Sequence, residues 1–173
     1  MNLTKVAQLR LIYDDYRTAK MNCLYYAHRL RFHQRWNRFL EIVLALGTSG
    51  TIATWAIWQK GMGEYVWTFF AGLVTLLAII KPILQLSTQI ERCSKSYVGY
   101  LVLYYDLQNL VNEIEIQKDV NEKMVNTHKS AKERKKDLAL DDEQIPKERL
   151  LQKCYDRVNR EIPVTSLWFP SKQ

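Results

Sequence analysis

Apolar positions along this chain follow two rhythms, and the change from one to the other divides it. From residue 9 onward, Leu9, Ile12, Tyr16, Ala19, Cys23, Tyr26 and Leu30 recur in alternating steps of three and four. That is a heptad seam, and it predicts a long helix with a partner helix laid along it. Tyr100, Leu103, Leu107, Leu110 and Ile114 repeat the rhythm in a second stretch. No glycine or proline occurs between Met1 and Leu46, and only Gly99 between Ile83 and Ile145, so both stretches read as long helices. The simplest arrangement pairs the two seams antiparallel within one chain. The alternative packs either seam between subunits, and the spacing leaves both open.

Between the seams the rhythm disappears. Residues 42–59 carry no charge and make about 27 Å of helix, close to the hydrocarbon thickness of a bilayer. Residues 59–64 read as a turn. Residues 65–80 are again uncharged, and after Lys81 the run continues without charge over residues 82–90. So short a connection makes the two apolar helices antiparallel neighbours. Trp36, Trp55, Trp58, Tyr65 and Trp67 stand at the ends of the two spans, where aromatic belts sit. The segments are apolar all round rather than on one stripe, as lipid requires. The competing reading is a buried hairpin inside a soluble protein, although the remaining helices are too polar to sheath it.

The expected fold class is therefore all-α: a two-transmembrane helical hairpin continuous with long cytoplasmic helices, assembled as a symmetric oligomer. Its parts are a basic amphipathic helix over residues 1–38 and the hairpin over 39–86, with spans of 39–58 and 65–86. A long helix over 87–136 and a carboxy-terminal helix and tail over 137–173 follow. The stretch 118–136 holds seven basic and three acidic residues and reads as a solvated helical extension. An acidic break follows over 137–144. Pro146 then suits the start of a short helix with Leu150, Leu151, Cys154, Tyr155 and Val158 on one face. The apolar segment 164–170 is expected to dock on another element.

Charge sets the orientation. The net charge is +7, with 25 Lys+Arg against 18 Asp+Glu. Arg29, Arg31, Arg35 and Arg38 precede the first span and Arg92 and Lys95 follow the second, while the turn has only Lys60, offset by Glu64. Both termini are expected in the cytoplasm, with the turn outside. The four arginines read as contacts to anionic lipid and determinants of topology, in preference to a nucleic-acid site. The 118–136 segment is freer to meet nucleic acid or an acidic protein.

Chemistry centres on few residues. Lys81 lies about 7.5 Å inside the second span if that span ends near Leu86. It either snorkels to the interface or stands with Gln85 at the mouth of a pore favouring anions, with Glu41 as its ion-pair partner and Pro82 as a kink. Ala45, Ser49 and Ala53 form a small-residue face suited to close helix packing, within the hairpin or between subunits. Two helices cannot enclose a channel, so a pore requires a homo-oligomer. Cys23, Cys93 and Cys154 are isolated, and His28, His33 and His128 lack metal-ligand spacing, so no metal or cofactor is expected. No phosphate loop, GxSxG or HExxH motif occurs, and a nuclease of the HEPN kind would need a longer Arg-to-His spacing than that of Arg29 and His33. No enzyme is expected.

The layout of a basic helix, a span with Gly47, Thr48, Ser49, Gly50 and Thr51, a minimal turn, a second span, and a helix opening with Glu91 and Arg92 and bearing Tyr97, Tyr100 and Leu103 resembles the SLATT family. These are two-transmembrane bacterial effectors found with anti-phage defence systems. The likeness covers roughly residues 10–115. Size and the basic extension also resemble the small accessory membrane protein of type VI-B CRISPR loci, regarded as an oligomeric pore that works beside an RNA-guided RNase. The resemblance implies an effector that depolarises the inner membrane during infection, with that RNase or another defence sensor as partner. The alternatives are a membrane-anchored adaptor that recruits a nuclease or ribonucleoprotein, and a soluble HEPN-like RNA-binding helical protein.

Overall fold

A computed structural model describes residues 3–49, 62–140, 142 and 146–170. Every regular element among them is helical: α1 (Leu3–Ser49), α2 (Met62–Ile83), α3 (Leu86–Gln117), α4 (Glu122–Leu140), α5 (Glu148–Glu161) and a 3-10 turn at Val164–Ser166. The chain divides into a bundle unit, Met1–Arg29 with Arg92–Gln173, and an apolar unit, Leu30–Glu91.

In the bundle unit the two heptad seams meet within the chain. Leu9, Ile12, Tyr16, Ala19, Cys23 and Tyr26 of α1 are buried, as are Tyr100, Leu103, Leu107, Leu110 and Ile114 of α3. Lys5 reaches Asp119 at 2.7 Å, Tyr16 stacks on Tyr104 with ring centroids 5.3 Å apart, and Tyr26 stacks on Tyr100 at 5.7 Å. Partner numbers fall as α1 numbers rise, so the helices are antiparallel.

The helix expected without interruption over 87–136 is broken at 118–121. Lys118 takes a left-handed backbone (φ 52°), and its N–H bonds back to the Ile114 carbonyl at 2.9 Å. Asn121 Oδ1 then accepts the Met124 N–H at 2.9 Å, capping α4. The break folds α4 back along α3. Arg134 meets Asp106 at 2.9 Å, and Leu138 lies where a Cβ at Gly99 would stand. Glycine at 99 therefore permits the close approach. α4 is accordingly not a free solvated extension: Met124 is 1% exposed.

α5 runs antiparallel to α1. The Lys147 N–H donates to the Tyr25 hydroxyl at 3.1 Å, Arg17 hydrogen-bonds Asn159, and Cys154 and Val158 are buried. Tyr155, read from its spacing as part of the same face, is 50% exposed. The tail docks on α1 too: the Tyr13 hydroxyl donates to the Trp168 carbonyl at 2.8 Å, and its ring meets Phe169 edge-on.

In the apolar unit, Glu41 meets Lys81 and Gly47 packs under Val74, so α1 and α2 run antiparallel there. α2 begins at Met62, three residues ahead of the expected span, and ends at Ile83. The rest of the expected turn, the second half of the first span, and with them Ala53, Trp55 and Trp58, lie outside the described residues.

Candidate functional site

The apolar unit is unusual in what it leaves open. α2 turns only one stripe inward: Val74 and Leu77 are half-buried, while Gly72, Leu73, Thr75, Leu76, Ala78 and Ile79 are all exposed. Phe69 is 74% exposed and Ile83 71%. α1 behaves similarly over its last turns, with Phe39, Ile42 and Leu46 each more than half exposed. A water-facing helix usually carries polar residues on that side, whereas the exposed positions described here are mostly apolar. Among the described residues no single helix is long and apolar enough to cross a membrane. Ala71–Ile83 and Leu86–Gln117 pass that test only together, across a 44° bend.

Of the expected Ala45, Ser49 and Ala53 face, Ala53 lies outside the described residues. Gly47 makes the close approach, since a Cβ there would come within 2.6 Å of the Val74 methyls. Ala45 is exposed, and Ser49 closes α1. Contact within the hairpin thus uses Gly47 and leaves Ala45 on the outer surface.

Lys81 Nζ stands 3.7 Å from Glu41 Oε1, with about a third of the lysine side chain and half of the glutamate exposed. The pair sits at the end of α2 where Leu84 and Gln85 separate it from α3. Gln85 adopts a left-handed backbone (φ 44°) and its N–H bonds to the Pro82 carbonyl at 3.3 Å. Pro82 is accommodated inside α2, and the break falls at the left-handed residue that ends the helix, as such residues commonly do. Gln85 is exposed beside it.

The four arginines do not behave as one group. Arg31, Arg35 and Arg38 are exposed, whereas Arg29 is 9% exposed. Beside the exposed three runs an aromatic ladder that spacing alone could have revealed. Phe32, Trp36 and Phe39 recur at i, i+4 and i+7, with centroids 6.2 Å and 5.9 Å apart, and all three stand open.

The bundle unit has its own charged cluster, which the sequence did not reveal. Asp15 of α1 shares a 2.9 Å hydrogen bond with His128 Nε2 and accepts another from Lys135 Nζ at 2.6 Å. The bond from His128 first, and that from Lys135 after it, outweigh burial and hold the carboxyl at about 2, below its ordinary 3.8. An open groove of about 530 Å³ is lined by Asp15 and Lys135 of this cluster together with Lys129, Lys132, Glu133, Lys136 and Ala139; no ion pair joins Lys129, Lys132 or Lys136 to an acidic side chain among the described residues. Asp142 accepts from Tyr26 at 2.7 Å and Tyr100 at 2.6 Å, pinning the segment after α4 to the seam. Burial, with that acceptor's charge, raises the Tyr100 hydroxyl well above the tyrosine range. Burial likewise pushes Tyr13 up to about 12. These are structural tyrosines, neutral at any physiological pH. Among the described residues no group of His, Cys, Asp or Glu is arranged to hold a metal ion.

No protein-family model matches the chain, and neither does any curated protein or solved structure.

Proposed function

We propose that this chain is a membrane effector: the apolar unit inserts into a bilayer as a helical hairpin, copies assemble through it, and the assembly passes ions. The observation that carries the reading is the open apolar surface of α2, exposed at six of the eight positions from Gly72 to Ile79. Water leaves such a surface costly, at roughly 25 cal/mol per Å², and lipid removes that cost. Depolarisation of an infected bacterial cell is what the SLATT-like layout implies, and a pore built from several hairpins would produce it. In that setting both termini are cytoplasmic, and the bundle unit is the part that receives a signal. Lys81 with Glu41 is the candidate gate, because a charged pair at a membrane span is expensive unless it faces water or protein.

The test has two stages. Extraction from membranes should require detergent, and release by alkaline salt alone would end the membrane reading. In planar bilayers the purified chain should then conduct, and Lys81→Glu should shift selectivity toward cations. Unchanged selectivity would make Lys81 an anchor, and a monomer or dimer without conductance would remove the pore.

Lys129, Lys132 and Lys136 of the bundle groove, without an acidic partner among the described residues, favour a second reading, a membrane-anchored adaptor that captures an acidic partner or a ribonucleoprotein. Conductance separates the two.

A further inference from the structure

Arg35, Trp36 and Phe39 enclose a shallow hollow of about 290 Å³ on α1. Arg35 and Arg38 are exposed and have no acidic partner among the described residues. The rings of Trp36 and Phe39 stand 47% and 54% exposed. Open guanidinium groups beside open aromatic rings call for an occupant that is anionic at one end and apolar at the other.

We propose that Arg35, Trp36 and Phe39 bind the headgroup and glycerol region of an anionic phospholipid. The guanidinium fork of Arg35 matches a phosphodiester, with Arg38 adding charge one turn on. The indole and phenyl rings cover the glycerol and upper acyl carbons, the chemistry that places aromatic residues at membrane interfaces. Beyond Phe39 the same side of α1 continues as Ile42 and Leu46, 53% and 62% exposed, reaching about 10 Å further along the axis. The stripe thus passes from cationic to aromatic to aliphatic, as a phospholipid does from phosphate to tail. A nucleic acid could use the arginines and rings but has nothing to match Ile42 and Leu46. A second copy's own apolar unit offers few carboxylates to these arginines, Glu41, Glu64 and Glu91, and Glu41 is already engaged with Lys81.

The site rests on the membrane reading, and the experiment keeps the two apart. Full-length protein in mild detergent is offered equal amounts of phosphatidylglycerol and phosphatidylcholine and examined by native mass spectrometry. Preferential retention of phosphatidylglycerol is expected. Arg35→Gln with Arg38→Gln should cut that preference roughly 25-fold, about 5-fold for each arginine near an anionic surface. Arg35→Lys with Arg38→Lys should keep most of it, and Trp36→Ala should weaken retention of both lipids. Circular dichroism checks that each variant retains its helices. A preference unaltered in the double glutamine variant overturns the site, as does tighter binding of a single-stranded oligonucleotide than of phosphatidylglycerol. Loss of self-association with lipid preference intact also overturns it, because the face then belongs to a second copy. Failure of the membrane reading has a different signature: the wild-type chain leaves the membrane without detergent.

Discussion

In the bundle unit each seam residue from Leu9 to Tyr26 is buried, whereas in the apolar unit six of the eight α2 positions from Gly72 to Ile79 are exposed. Both regions are helical and rich in aliphatic side chains. They differ in what surrounds those side chains. The bundle confines its apolar atoms to one stripe per helix and fills its outer surface with Lys, Arg, Asp and Glu. α2 has no such outer surface, so Phe69, Leu76 and Ile79 stand open at 74%, 53% and 58%. Exposed apolar residues occur in the bundle too, Ile116 at 83% among charged neighbours and Val98, Val102 and Tyr105 along one side of α3, but there they occupy a single stripe of a helix whose other positions are polar or buried. The lesson is that the two units differ in the continuity of apolar surface around a helix, rather than in the exposure of any one residue.

The largest effect should come from charging the open surface. Phe69→Arg with Leu76→Arg places two guanidinium groups within α2, each costing about 2.5–3.5 kcal/mol in a membrane-spanning helix. The combined cost of about 5–7 kcal/mol should remove the chain from the membrane fraction. Ile116→Arg, on the more exposed residue, should leave both membrane association and stability within about 0.5 kcal/mol. If both variants fractionate like the parent, the contrast between the units has no physical meaning.

Next in size is the core of the bundle. Leu103 is 0% exposed between α1 and α3, and Leu103→Ala should destabilise that unit by about 2–5 kcal/mol through lost burial and a residual cavity. Every tyrosine except Tyr65 belongs to the bundle unit, so near-ultraviolet tyrosine dichroism on heating reads it selectively. Membrane retention should persist. Loss of both together would mean that the units do not stand independently.

How much of this was legible in the sequence follows from the same contrast. The α1–α3 seam could be read because its residues repeat at fixed spacing, and each of its α3 positions proved buried. The antiparallel Glu41–Lys81 pairing was legible because so short a connection leaves one arrangement. The packing of α4 was not legible. That helix buries only Met124 among its described residues, and its other attachments include Asp15 with His128 and Lys135, Arg134 with Asp106, and Gly99 beneath Leu138. Contacts between single residues of different helices leave no periodic trace. The break at Lys118 was hidden too, since lysine seldom takes a left-handed backbone. Arg29 was grouped with three neighbouring arginines because proximity in sequence does not say which face of α1 each one occupies.

The Asp15 cluster sharpens the comparison through pH, because it belongs to the bundle unit alone. Its carboxyl is held at about 2 against an ordinary 3.8, so the folded state favours the charged form. The resulting stability, on the order of 2 kcal/mol, is present above about pH 4. It is lost as pH falls through the folded value near 2. Asp15→Asn should therefore destabilise the bundle at pH 7, and the gap between parent and variant should close as pH approaches 2. Denaturation followed by tyrosine dichroism at pH 7, 4 and 2.5 measures this, and a gap independent of pH would mean the ion pairs contribute nothing.

The smallest effect concerns the break that folds α4 onto the bundle. Asn121 is its N-cap, through the 2.9 Å bond from the Met124 N–H. Met124 is the buried anchor of the same turn, so the cap fixes the position from which that side chain enters the core. Asn121→Ala leaves one N–H without its partner and should cost about 1 kcal/mol, below the effect at Leu103. Hydrogen exchange should show faster opening in the first turn of α4, with α2 unchanged. Asn121→Asp, which keeps the acceptor and adds a charge favourable at a helix N-terminus, should restore the protection. Faster exchange throughout α4 in the alanine variant would mean that the cap holds the whole helix to the bundle. Unchanged exchange would show that Met124 and the Asp15 contacts suffice without it.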